Sequence, residues 1–230
     1  VTGNDVEIAL DHFDTKLELF DLQKMRFSIA PLTLQGLTAR VYQFQPLTES
    51  EPAPKNTADT DVHSGLQLDL STIDLQKINL DYHNDVSALY AQLNLGALHI
   101  QPQKTDLAQQ LISINALSLD STTAVLRLGK KERAAMVKKE TSQEVNTGDE
   151  ANWRVQVANL QLNNNNLQFD DDNSPRQQSG MDFMHLLAKK LTLHVNDLAY
   201  SSDSVAGNIT KVALTEQSGF VLDQLQTRFL

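Results

Sequence analysis

The residues of this chain that could do chemistry are its carboxylates and its histidines. The densest acidic run is Asp170-Asp171-Asp172-Asn173. Such a run can open a calcium loop, but the helix-loop-helix calcium pattern needs Gly at its sixth place and Glu at its twelfth. Counted from Asp170, those places hold Pro175 and Met181, so the run reads as a solvated turn. The histidines are His12, His63, His83, His99, His185 and His194, and no two are four residues apart as a helical zinc pair requires. With no cysteine, thiol catalysis, disulfides and thiolate metal sites are excluded. No GxSxG, P-loop or GxGxxG occurs. Asp85, Asp172 and Asp203 recur at equivalent places in a repeat, which suits a turn role better than one active site. Asn208-Ile209-Thr210 matches the glycosylation sequon, which matters only in a eukaryotic secretory setting. The reading is therefore a non-enzyme without cofactor or metal.

The net charge of −10 repels phosphate backbones and argues against nucleic acid. Hydrophobic residues make up 40% of the chain, yet they are scattered in short alternating runs. No run approaches the ~20 residues of a membrane-spanning helix. Val1-Thr2-Gly3-Asn4 reads as the interior of a longer chain.

The elements that must position these groups have a period of two. Leu66-x-Leu68-x-Leu70, Leu89-x-Ala91-x-Leu93-x-Leu95, Val155-x-Val157 and Leu191-x-Leu193-x-Val195 all alternate. Alternation gives a strand one apolar and one polar face, the pattern of an antiparallel sheet with one dry side. Three β stretches are expected, over 1–45, 65–129 and 152–230. Residues 46–64, with three prolines, read as a flexible loop, and 130–151 as a helical or disordered insertion. Met181 to Leu187 reads as a short helical turn over a sheet edge, with Phe183, Leu186 and Leu187 on one face. Trp153 reads as packing.

A repeat runs through these stretches. Ile73-x-Leu75-x4-Leu80-x-Tyr82-x-x-Asp85 returns as Leu160-x-Leu162-x4-Leu167-x-Phe169-x-x-Asp172 and as Leu191-x-Leu193-x4-Leu198-x-Tyr200-x-x-Asp203. Weaker copies start at Leu32 and Leu117, so the steps between starts are 41, 44, 43 and 31. The gap of five between Leu75 and Leu80 would flip a straight strand's apolar set to the other face. A turn or bulge must intervene. Asn163 to Asn166 and His194 to Asp197 suit four-residue hairpin loops, while Gln76 to Asn79 equally suits a bulged, bent strand.

The copies at Leu160 and Leu191, with Trp153-Arg154-Val155-Gln156-Val157 leading into the first of these and Glu216-Gln217-Ser218-Gly219-Phe220-x-Leu222-x-x-Leu225 near the end of the chain, resemble the AsmA/TamB superfamily of Gram-negative envelope proteins. The likeness covers roughly residues 66–128 and 152–229 and is strongest to the front half of TamB-like translocation and assembly proteins. It implies an all-β fold: a repetitive antiparallel sheet curled into an open, taco-like trough with a greasy inner face and little helix. It implies a periplasmic segment of a protein anchored in the inner membrane through parts absent from this chain. It also implies phospholipid acyl chains as cargo and, as a further partner, an outer-membrane assembly β-barrel protein. The groove-lining candidates are Ile73, Leu75, Leu80, Leu160, Leu162, Leu167, Leu191, Leu193 and Leu198. About a dozen strands at ~4.8 Å would extend ~60 Å.

Other readings of the same pattern exist. A closed sandwich or solenoid core would also alternate. A non-enzymatic scaffold could support outer-membrane protein assembly by strand addition to an open edge. A carbohydrate-related β-solenoid enzyme would need carboxylates with aromatics on an exposed face, and only 6% of residues are aromatic.

Overall fold

The computed structural model describes residues 4–21, 26–45, 67–107, 109–130 and 153–229. Among them there is no helix, and therefore none long and apolar enough to cross a membrane. Thirteen strands form one sheet: β1 (Asp5–Asp14), β2 (Leu17–Asp21), β3 (Arg26–Ile29), β4 (Leu32–Gln43), β5 (Gln67–Leu70), β6 (Ile73–Asn84), β7 (Leu89–Asp106), β8 (Leu111–Asp120), β9 (Thr123–Leu128), β10 (Arg154–Asp171), β11 (His185–Tyr200), β12 (Val205–Glu216) and β13 (Val221–Phe229). The order along the sheet is β1-β4-β6-β7-β8-β10-β11-β12-β13.

Several of these strands are halves of longer ones. Ladder hydrogen bonds cross the links: Leu32 N–H donates to Thr72 O (2.9 Å), Ser71 N–H to Ile29 O (3.1 Å) and Ser121 N–H to Asn163 O (3.0 Å). So β3 runs into β4 through Ala30-Pro31, β5 into β6 through Ser71-Thr72, and β8 into β9 through Ser121-Thr122. Each composite strand matches the 18 residues of uninterrupted β7 and β10.

The all-β class holds, but the sheet is mixed, not antiparallel throughout. β4 lies parallel to β6 with Leu32 beside Ile73, and β8 lies parallel to β10 with Leu117 beside Leu160. Repeat copies 41 and 43 residues apart thus stack in register, including the two that look weak in sequence. The segments that join the parallel strands, 46–66 and 131–152, lie outside the described residues. The chain must return across the whole sheet width between Gln45 and Gln67, and again between Lys130 and Trp153. The expected loop 46–64 and nearly all of the expected insertion 130–151 lie outside the described residues, on these two returns. The copy at Leu191 differs: β11 runs antiparallel to β10, with Leu162 beside Leu193.

The four-residue stretches are not hairpin loops. Asn163–Asn166 lie inside β10 and His194–Asp197 inside β11. The chain corrects its parity with single left-handed residues: Gly36 (φ 70°), Lys77 (52°), Ser121 (52°), Asn164 (53°) and Lys190 (53°). The registers of the strands carry these, with Gly96 of β7, side by side across the sheet. A left-handed residue lets two successive side chains point outward, as Gln76 and Lys77 do, and returns the next to the original face. The result is a crease. A second crease passes through Ala158-Asn159 of β10 and Asn196-Asp197 of β11, where Asp197 has φ 54°.

The buried apolar side chains locate the inside of the bends. Ile78, Leu95 and Ala188 flank the first crease, and Val157, Val195 and Ala30 the second. Apolar residues between the creases and on the outer flanks are half-buried or exposed, as Leu167 is at 38%. No second layer covers the apolar face among the described residues, so a closed sandwich core is absent there. The expected helical turn at 181–187 is also overturned. Residues 183–184 form a turn, and β11 begins at His185. Phe183 points to solvent, while adjacent Leu186 and Leu187 necessarily face opposite sides of the strand.

The left-handed positions are a test of the crease. Lys77→Val is expected to destabilise by about 1–2 kcal/mol, because a β-branched side chain is strained at positive φ, while Lys77→Gly stays near neutral. Urea titration of the pair checks this; equal midpoints would argue that the bend is not fixed by that residue.

Candidate functional site

Among the described residues, apolar side chains converge on the inner face of the creased sheet. One row crosses every strand of the sheet path: Phe13, Leu34, Leu75, Leu98, Leu119, Leu162, Leu193, Val212 and Leu225 stand side by side. Eight inter-strand spacings make it ~38 Å long. That is shorter than the ~60 Å expected, because composite strands lie end to end and do not add to the length. A parallel row carries Leu32, Ile73, Ile100, Leu117, Leu160, Val195 and Ile209.

The nine residues singled out in the sequence fall on this face. Ile73, Leu75, Leu160, Leu162, Leu191 and Leu193 lie between the creases. Leu80 and Leu167 stand beyond the first crease and Leu198 beyond the second. Beyond the first crease, Leu80, Leu93, Ala124, Leu126, Leu167, Phe169, Leu186 and Tyr82 line an open depression of about 540 Å³ with almost no polar lining. Leu98 and Ile100 escaped the sequence reading, which took Leu93 only as part of an alternating strand. Their motif, Leu93-x-Leu95-x-x-Leu98-x-Ile100, is the forward repeat read backward on an antiparallel strand. The spacing in-x-in-x-x-in-x-in is the same in both directions, so it was open to detection.

Polar groups hold the creases. Asn165 is 1% exposed, and its Oδ1 accepts from the Thr122 N–H (2.8 Å) while its Nδ2 donates to Leu119 O (2.9 Å). One side-chain amide thus pairs with both backbone groups at the bend. Asn163 Nδ2 donates to Asp120 Oδ1 (2.7 Å), and Asn166 Oδ1 accepts from the Lys190 N–H (3.1 Å). The Asn163–Asn166 run is the crease's own hydrogen-bond kit.

The carboxylates of the acidic run diverge. Asp170 binds Gln168 and Arg176, Asp171 binds Asn173 and Ser174, and Asp172 binds Arg127 at 2.6 Å. Among the described residues no three His, Asp or Glu side chains are grouped to hold a metal ion. Asp85 and Asp172 sit where β6 and β10 end, and their backbone N–H groups continue the ladder to Gln43 O and Leu128 O. Asp203 lies in the β11–β12 turn, beside Ser202.

Three acids at the strand ends titrate low. Hydrogen bonds from Asn173 lower Asp171, those from the Gln177 N–H and His185 lower Asp182, and those from Ser218 and the Leu187 N–H lower Glu216. A carboxylate lowered on folding stabilises above its unfolded pKa, ~4, and that contribution is lost as pH falls through the folded value. The urea midpoint is therefore expected to hold from pH 7 to about 5 and to fall below ~4. A midpoint unchanged at pH 3 would contradict this.

No protein-family profile, curated protein or solved structure matches this chain.

Proposed function

We propose that the creased sheet is a lipid-carrying trough, a segment of a bridge-like protein of the Gram-negative envelope that passes phospholipid between inner and outer membranes through the periplasm. The observation that carries the reading is the unbroken nine-residue apolar row, which no other described residues cover as a second layer. Exposing a lipid costs ~0.8 kcal/mol per CH2, so two chains of ~16 carbons forfeit on the order of 25 kcal/mol in water. A carrier must offer an apolar surface that is continuous along the path and unselective at each point. Rows of Leu, Ile and Val do this without site chemistry.

The test is native mass spectrometry with lipid extraction on the 230-residue chain purified mildly from bacterial membranes. Phospholipid is expected to co-purify and to be lost when Leu162 and Leu193, neighbours in the row, are both changed to Asp in protein that keeps its β circular-dichroism spectrum. Lipid-free parent protein, or lipid retained by the folded double variant, would overturn the reading.

A second reading rests on the sheet ends. β1 pairs only with β4 among the described strands and exposes Val6, Ile8, Leu10 and Phe13. Such an edge can accept an added strand, as a scaffold for outer-membrane protein assembly would require. Capture of a β-barrel assembly protein by the parent, abolished by proline in β1, is its expected signature.

A further inference from the structure

The outer face of the same wall carries a feature that the trough does not use. Tyr42 and Tyr90 flank His83 on this face, where β4 and β6 end and β7 begins. On the outer side, the His83 ring stands edge-on to Tyr90 at 4.3 Å between centroids, and it also touches Tyr42 and Phe44 at 5.7 and 6.5 Å. Beside these rings opens a pocket of about 730 Å³, a size usual for small-molecule sites. Its chemistry comes from Asp81, His83, Tyr90, Gln92, Arg127 and Asp172, with Lys130 at its edge.

The composition restricts the ligand. Asp81 and Asp172 against Arg127 and Lys130 give formal charges that cancel, so neither an anion nor a cation gains net attraction. An apolar ligand would have to strip water from four charged groups, which is costly. A neutral molecule with both donors and acceptors around an apolar ring face fits every group. Among the described residues, the hydrogen bonds the two aspartates accept, from Tyr42 Oη (3.2 Å) and from Arg127 Nε and Nη2 (2.8 and 2.6 Å), all fall on Oδ2. Oδ1 of each remains to accept a hydroxyl proton, Gln92 offers both donor and acceptor, and the Tyr90 ring offers a face for C–H groups.

We propose that this outer-face pocket binds a saccharide, one or two neutral sugar rings stacked on Tyr90 with hydroxyls bridging Asp81, Gln92 and Asp172. It is a binding site without catalytic assignment, and it stands whether or not the opposite face carries lipid.

The test is ligand-observed NMR and calorimetry on the whole 230-residue chain with maltotriose, cellotriose and triacetylchitotriose, and with choline and inorganic phosphate as charged probes. At least one trisaccharide is expected to bind with Kd on the order of 1 mM. Tyr90→Ala should weaken it about tenfold through the lost ring contact. Asp81→Asn, which keeps shape and fold, should weaken it about fivefold through a poorer acceptor. Lipid co-purification should not change in either variant. No trisaccharide binding up to about 10 mM, affinity unchanged in folded Asp81→Asn, or preference for choline or phosphate over every sugar would each overturn the proposal.

Discussion

Asn165→Leu is expected to lower stability by about 2–5 kcal/mol, the largest loss from any single polar substitution in this sheet. The replacement keeps the volume and adds apolar surface, so a contact-based argument would predict a gain. The opposite is expected, because Asn165 occupies the inner angle of the crease and pairs with Thr122 N–H and Leu119 O. Leucine leaves the buried Thr122 N–H without the amide oxygen and takes the Nδ2 donor from Leu119 O, and each such loss costs about 1–3 kcal/mol. Neighbouring Asn164 supplies the control. It is exposed, and its contribution is the left-handed backbone at φ 53°, which glycine adopts freely. Asn164→Gly should therefore change the urea midpoint little. Similar midpoints for Asn165→Leu and the parent would mean that the bend does not depend on the side-chain amide.

Gly96→Ala should cost about 1–3 kcal/mol. Gly96 lies on the first crease in β7, where β8 passes into β9. A Cβ there would sit 2.6 Å from Asp120 O and 2.7 Å from Ser121 O. Both atoms are backbone, so no rotamer change relieves the overlap, and the crease must open or the strands must part. At Gly36, also on the crease, the added Cβ meets the Asp11 carboxylate, a side chain free to swing away. The strain at Gly36 comes mainly from its φ of 70°. Urea titration of Gly96→Ala, with amide exchange at Asn94 to Leu98, measures the effect. A wild-type midpoint together with unchanged exchange would refute a close backbone approach at this point.

How much was legible in the sequence differs from element to element. Ile73-x-Leu75 and Leu80-x-Tyr82 announce a strand with one apolar face, and the odd gap between them announces a break in parity. The nine groove candidates followed from that pattern and share one face. The nature of the break was not legible. Asn163 to Asn166 has turn residues at every position, and local preference favours a hairpin. The neighbouring strands decide otherwise, since each offers its own left-handed residue at the same level. The polar pocket on the outer face was hidden for a different reason. Asp81, Arg127 and Asp172 are far apart in the chain, and they meet because β7 pairs antiparallel with both β6 and β9 while β9 pairs parallel with β10.

The sequence by itself determined the class: alternation of period two with few long apolar runs leaves only sheet, and a repeat near 43 residues makes that sheet regular. It also determined which side chains share a face, because strand parity is local. Tertiary structure alone decided the direction of pairing. In-x-in-x-x-in-x-in reads the same both ways, so a repeat can stack parallel, as Ile73 does on Leu32, or antiparallel, as Leu193 does on Leu162. It also decided that no second layer among the described residues covers the apolar face, since alternation only demands an apolar side and does not specify what lies against it. The long polar segments beginning at Pro46 and Lys131 read as excursions in sequence. Topology makes them the returns that parallel neighbours require, because a strand ending at Gln43 can be followed by a parallel partner only if the chain travels back to where β3 began.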